Sequence, residues 1–274
     1  MEKGGLRVVW LQAASCTGCT ISILNSSSFK VKNLLLDEIV PGHYLCLLFQ
    51  QTIMAGSGEK VIEVLRQQAI KENFFLVMEG SIPTKDNGIY CRVGEKTMLE
   101  WFGELASASS GIISLGTCSS FGGMFASFPN PAGCVGVKEA CKLLKIEKPI
   151  INVPGCPPHP DWFIGTIVHL LNKGMPVLDD VSRPLDFYGG LIHENCPRRP
   201  YFDKGKFAYK FGQEGCLYLL GCRGPFTNSD CPLRQWNGGI NWLIKNGAPC
   251  FGCVEPDFPE KMVPFFEKLK EEKI

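Results

Sequence analysis

The residues in this sequence whose types and spacing could do chemistry are three groups of cysteines, one of them joined by a histidine. Cys16 and Cys19 form a Cys-x-x-Cys pair, and Cys118 and Cys156 follow as distant singles. Two thiolates three residues apart on a tight turn can take two corners of one metal site. Gly18 between them lets the backbone come close to a sulfur. Four thiols suit either zinc or an iron–sulfur cubane, and one pair plus two singles favours the cubane, since zinc usually draws on two nearby pairs. His193, Cys196, Cys216 and Cys222 form a second set, which by itself fits a Cys₃His zinc site equally well. Cys231, Cys250 and Cys253 form a third, with only three thiols. That counts against structural zinc and fits a cluster lacking one iron corner. Cys-Pro pairs at 156–157, 196–197 and 231–232 repeat a habit of bacterial ferredoxin ligands. Cys46 and Cys141 read as packing residues, and Cys91 and Cys134 as loop thiols.

Bringing such distant residues together needs a scaffold. Short runs rich in Val, Ile, Leu and Phe at 7–11, 44–49, 74–78, 111–115 and 149–153 read as strands. Helix-like stretches lie between them, clearest at 58–71 and 137–144. This alternation predicts an α/β fold, a flavodoxin-like parallel sheet covered on both faces. Cys16 and Cys19 follow the first strand, Glu79 the third, Cys118 the fourth and Cys156 the fifth. Ligands in open α/β sheets sit beyond the carboxyl ends of the strands, so three strands deliver four thiols to one edge. Glu79 then stands beside the thiol loops, either as a support to the site, as part of a subunit interface, or in a simple surface or salt-bridge role. His159 reads as a support to the first site or a structural residue of its stiff loop, and His169 as a core residue on a helix.

Beyond about residue 182 the strand and helix patterns fade, and Gly, Pro, Cys and aromatics dominate. Metal clusters can supply the order that a layered core does not. The expected division is a flavodoxin-like domain over 1–182 and an irregular iron–sulfur domain over 183–274. The tail at 260–274 reads as an amphipathic helix packed on the end of the fold.

The charge balance is 28 Lys and Arg against 27 Asp and Glu, so no field draws nucleic acid or anionic lipid. No apolar run approaches the ~20 residues that span a bilayer, and no secretory or twin-arginine leader is visible, so no membrane anchor of its own is expected. With 14 cysteines in 274 residues, the expectation is a metal protein of a reducing, cytoplasmic compartment, associated with membranes only through other subunits.

Several segments together resemble a known family. They are Trp10-Leu11-Gln12 through Cys16-Thr17-Gly18-Cys19, Glu79-Gly80-Ser81-Ile82-Pro83-Thr84, Gly116-Thr117-Cys118-Ser119-Ser120-Phe121-Gly122-Gly123 and Pro154-Gly155-Cys156-Pro157-Pro158-His159-Pro160. His193-Glu194-Asn195-Cys196, Gly221-Cys222-Arg223-Gly224-Pro225, Asn228-Ser229-Asp230-Cys231-Pro232 and Pro249-Cys250-Phe251-Gly252-Cys253 continue the series. The chain resembles the small, electron-transferring subunit of nickel–iron hydrogenases. The resemblance implies a proximal [4Fe–4S] cluster on Cys16, Cys19, Cys118 and Cys156, and a distal [4Fe–4S] cluster on His193, Cys196, Cys216 and Cys222. It implies a medial [3Fe–4S] cluster on Cys231, Cys250 and Cys253, because Leu243 stands where some relatives have a fourth cysteine. It also implies a hydrogenase large subunit as partner, holding the Ni–Fe site, and an acceptor that is a carrier protein or a quinone-linked subunit. A dimer of such heterodimers is a further assembly to consider. Gly18 and Gly123 stand where oxygen-tolerant relatives carry extra cysteines, so an ordinary cubane is expected. Ser15 replaces a glutamate frequent in the periplasmic branch, which points to the cytoplasmic uptake or sensing branches. The aromatic-rich segment 121–133 reads as a candidate interface. The rival readings are a hydrogen-sensing subunit, a complex-I-like cluster subunit and a zinc-stabilised interaction module.

Overall fold

A computed structural model describes residues 4–30, 32–33, 37–69 and 73–260. The expected tail helix lies outside the described residues. A six-stranded sheet forms the centre: β1 (Gly4–Gln12), β2 (Glu38–Val40), β3 (His43–Gln50), β4 (Phe75–Glu79), β5 (Gly111–Leu115) and β6 (Ile150–Val153). Its order is β6-β5-β4-β1-β3-β2, parallel throughout except for the β2 edge, which runs antiparallel to β3. Without that edge the order is that of a flavodoxin-like sheet, with its topological switch between β1 and β4. Three of the five expected strands differ by one residue at one or both ends, β1 begins three residues earlier and ends one later than expected, and β5 matches at both ends.

Alternate residues of β1 face opposite ways. Val9 and Leu11 enter a core with Leu76, Met78, Trp101, Phe102 and Leu105. Val8 and Trp10 enter the other, with Val77, Leu115, Val153, Trp162 and Phe163. The first core is covered by helices Glu59–Ala69, Met98–Ala108 and Val137–Leu144, the second by Pro160–Lys173. Helix Met98–Ala108 carries a signal legible in the sequence: Thr97 and Glu100 form a capping box, satisfying two free backbone N–H groups. His169 does not lie in the core. It is partly exposed on Pro160–Lys173, with Nδ1 3.3 Å from Asp186 Oδ2.

Past residue 183 the chain runs through short helical turns, Leu185–Tyr188, Arg199–Asp203 and Cys231–Arg234, held by loop hydrogen bonds. A smaller core of Ile192, Leu217, Leu220, Trp242 and Ile244 packs around Cys222 and Cys250. The two halves share side chains. Tyr188 and Val254 belong to the core behind the sheet. Arg183, 4% exposed, pairs with Asp179 at 2.8 Å and Glu255 at 3.1 Å and donates to the Val254 carbonyl at 3.0 Å. Removing one member of a buried ion network leaves uncompensated charge, typically costing about 3–5 kcal/mol. Arg183→Ala should therefore lower the thermal unfolding midpoint clearly; an unchanged midpoint would show that this clasp does not join the halves.

Candidate iron–sulfur sites

The first thiol set assembles at the switch point. Cys16 and Cys19 lie in the turn from β1 into helix Gly18–Leu24, Cys118 follows β5 in helix Thr117–Phe121, and Cys156 follows β6. Backbone hydrogen bonds tie these loops together: Ala13 N–H to the Glu79 carbonyl at 2.8 Å, Gly116 to Val153 at 2.9 Å, and Thr117 to Gly155 at 3.0 Å. Burial pushes the Cys19 thiol well up, and Glu79, Cys118, Cys16 and Cys156 are close enough to push it further. Burial likewise raises Cys118 to about 11.

Glycine is required where the backbone meets these sulfurs. A Cβ on Gly116 would lie 2.4 Å from Cys19 Sγ, and one on Gly123 2.9 Å from Cys118 Sγ. Both glycines also have positive φ, of 86° and 51°. A Cβ on Gly18 would stand 3.0 Å from Cys16 Sγ. The sulfurs are thus cradled by bare backbone, which leaves no room for side chains at these places.

Glu79 is fully buried at the end of β4, which rules out the surface role. Its carboxylate accepts from Trp10 Nε1 and Gln12 Nε2, both at 3.2 Å, from Ser15 Oγ at 3.2 Å, and from the Thr20 backbone N–H at 3.3 Å and hydroxyl at 2.5 Å. These neutral donors solvate a buried negative charge beside Cys19. Trp10, Gln12, Ser15 and Thr20 are not among the expected site residues, because nothing in their spacing marks them; the facing of β1 brings Trp10 and Gln12 to Glu79, and the turn and helix after it bring Ser15 and Thr20.

The second set lines one hollow, with His193, Cys196, Cys216 and Cys222 all on its wall. Arg198 organises it, donating to the carbonyls of Gly215 at 2.7 Å, Ile244 at 3.1 Å and Gln213 at 3.2 Å. Its charge also favours the thiolates of Cys196 and Cys216, against the burial that raises both. His193 is half-buried, edge-on to Phe202 at 4.8 Å. Burial, and then Arg199, lower its pKa, keeping the imidazole neutral and able to ligate.

Cys231, Cys250 and Cys253 line a cavity of about 390 Å³, together with Cys156 and Leu243. Burial pushes Cys250 up to about 12 and Cys231 to about 11. The three sets abut one another. The Cys156 backbone N–H donates to the Cys253 sulfur, and Thr117 Oγ1 donates to the Cys253 carbonyl. At the other end the Cys250 backbone N–H donates to the Cys222 sulfur, and Arg223 N–H donates to the Cys250 carbonyl at 2.7 Å. The order is therefore first, third, second set.

His159 supports this junction. Its Nδ1 accepts the Asp161 N–H at 3.1 Å, so its proton is on Nε2, which donates to the Gln235 carbonyl at 2.8 Å. It thereby links the Cys156 loop to the segment after Cys231.

Among the described residues no three His, Cys, Asp or Glu side chains close around a single metal ion. A zinc centre needs its ligands about 2.3 Å from one point, whereas thiols around a multi-atom cluster stand farther apart. The donor sets, glycine cradles and 390 Å³ cavity fit iron–sulfur clusters.

Fold and sites together define an α/β electron-carrier subunit with thiol sites in series. Residues 188–266 match the C-terminal family of NiFe/NiFeSe hydrogenase small subunits, and residues 16–170 match the NADH ubiquinone oxidoreductase 20 kDa subunit family. The periplasmic [NiFeSe] hydrogenase small subunit of Desulfomicrobium baculatum is 45% identical, over 94% of this chain and 86% of its own. The periplasmic [NiFe] hydrogenase small subunit of Solidesulfovibrio fructosivorans is 43% identical, over 95% of this chain and 81% of its own. A structure of the D. baculatum [NiFeSe] hydrogenase superposes with a TM-score of 0.91 at 44% identity, covering 97% of this chain and 100% of that one.

The chain belongs to the family of nickel–iron and nickel–iron–selenium hydrogenase small subunits. It is the iron–sulfur, electron-transfer subunit of an oxidoreductase complex, paired with a large subunit that holds the catalytic site. The complex-I-like reading has a real basis in the first 170 residues, but the match over 188–266 decides against it.

The expected cytoplasmic location, and with it the cytoplasmic branch, is overturned by the periplasmic relatives. Thiols that bind clusters are used in the same way in either compartment, so their number does not report it. Ser15 is a poor guide too, since here it serves as a donor to Glu79. Among the described residues no helix is long and apolar enough to cross a membrane.

Gly116→Ala should retain the fold by circular dichroism yet lose iron from the first site. Full iron content in that variant would contradict the cradle.

Proposed function

We propose that Cys16, Cys19, Cys118 and Cys156 hold a proximal [4Fe–4S] cluster, Cys231, Cys250 and Cys253 a medial [3Fe–4S] cluster, and His193, Cys196, Cys216 and Cys222 a distal [4Fe–4S] cluster. The observation that carries this reading is the abutment of the sets in series, Cys156 against Cys253 and Cys250 against Cys222. When bound, such clusters supply one-electron transfer, and the chain relays electrons between the large subunit and an external acceptor. Leu243 on the wall of the medial cavity offers no fourth ligand, which favours the three-iron form.

The chain's own residues bury the path and bias the sites. Loading each site exchanges thiol protons for iron. Glycine cradles bring backbone N–H groups to sulfur, as at Gly18 to Cys16 and Gly252 to Cys250, both 3.4 Å. Exposed Met124, Phe125 and Phe128 beside the Cys118 loop, the last 88% exposed, suit an interface with the large subunit that covers the proximal end. The half-buried His193 suits the exit end, where a neutral ligand makes the cluster less negative. The division into 1–182 and 183–274 stands as part of this proposal, supported by the end of the strand–helix alternation.

The iron-replete chain should hold about 11 iron and about 12 labile sulfide, with a spin-half signal of the three-iron cluster when oxidised. Zinc in stoichiometric amount without sulfide would overturn the reading. Cys156→Ala should abolish hydrogen-driven dye reduction by the complex; normal turnover would contradict the wiring.

A further inference from the structure

Two buried hydroxyls flank the three-thiol site, and their hydrogen bonds put them in different states. Thr227 is 1% exposed and Ser229 3%. The Thr227 hydroxyl donates to the Arg223 carbonyl at 2.7 Å and stands 4.0 Å from Cys250 Sγ, so its single proton is already committed. Ser229 Oγ accepts the backbone N–H of Cys231 at 3.2 Å and lies 3.0 Å from Cys231 Sγ. With a lone pair taken by the amide, its proton is directed at the sulfur. The serine is itself pinned, its backbone N–H donating to the Gly190 carbonyl at 2.9 Å.

The other two thiols of this site receive backbone donors, from Gly252 to Cys250 at 3.4 Å and from Cys156 to Cys253. Cys231 differs in having two side-chain donors, Ser229 and the Trp236 indole, beside its own backbone N–H. A hydrogen bond to sulfur stabilises the more negative, reduced cluster, and at a buried site water does not replace a lost donor.

We propose that Ser229 sets the midpoint potential of the medial cluster, its hydroxyl raising that potential by donating to the Cys231 sulfur. Ser229 is a positioning residue in this role, acting on electron transfer through Cys231, and the inference rests on the medial assignment above.

The test is a redox titration of the loaded complex, followed by electron paramagnetic resonance of the oxidised medial cluster. Ser229→Ala and Ser229→Gly, two hydroxyl-free variants of different bulk, should both shift the medial midpoint to lower potential. The proximal and distal midpoints should stay in place. Ser229→Thr, which keeps the hydroxyl, should stay near the parent protein, as should Thr227→Val. A hydroxyl-free variant with a full signal at the parent potential would overturn the inference, as would an equal shift in Ser229→Thr. A parent complex with no third-cluster signal would overturn the medial assignment itself, and this inference with it.

Discussion

Burial holds the thiols of these sites in the protonated form, as at Cys19, Cys118, Cys222, Cys250 and Cys253, and a cluster ligand must give that proton up. The fold has to offset this by donating hydrogen bonds to sulfur from very close range. The glycines at 116 and 123 leave the space that the Cys19 and Cys118 sulfurs occupy, and the backbone of Met124 and Phe125 then donates to Cys118. The same demand explains the knitting of the loops after β1, β4, β5 and β6, since a donor displaced by an ångström no longer serves. A carboxylate as deeply buried as Glu79 is tolerable beside these sulfurs because several neutral donors converge on it.

The sheet does the gathering for the first site only. Past Arg183 the same task falls to individual side chains that satisfy loop carbonyls, Arg198 at the second set and His159 at the junction of the first and third. A chain segment with little regular structure is thereby held together by buried polar contacts and a small apolar core around Cys222 and Cys250. The two modes of construction meet where Thr117 donates to the Cys253 carbonyl, which sets the sheet-borne site against the loop-borne one. The proposed relay of electrons rests on that adjacency more than on any single residue.

The gathering of the first thiol set was legible in the sequence, because apolar runs end shortly before Cys16, Cys118 and Cys156 and at Glu79. The flavodoxin-like order was legible as a class; the β2 edge was not, being three residues long. The environment of Glu79 was hidden, since Trp10 and Gln12 reach it only through the facing of β1, and spacing does not report facing across sixty residues of chain. His169 was misplaced for a related reason: apolar neighbours in sequence are not neighbours around a helix. The compartment was misread because cluster-binding thiols look alike on either side of a membrane. The serine two residues before Cys231 was in view from the start, and only its hydrogen-bond geometry distinguishes it from Thr227.

The central claim is that the three sites act in series, with the Cys231, Cys250 and Cys253 site between the other two. Freeze-quenching the complex at successive times after hydrogen is added, and following each cluster by electron paramagnetic resonance, tests it directly when a Cys253→Ser variant is compared with the parent. The variant should still reduce its proximal cluster at the parent rate, while reduction of the distal cluster is slowed by orders of magnitude. Distal reduction at the parent rate in a variant lacking the medial signal would contradict it.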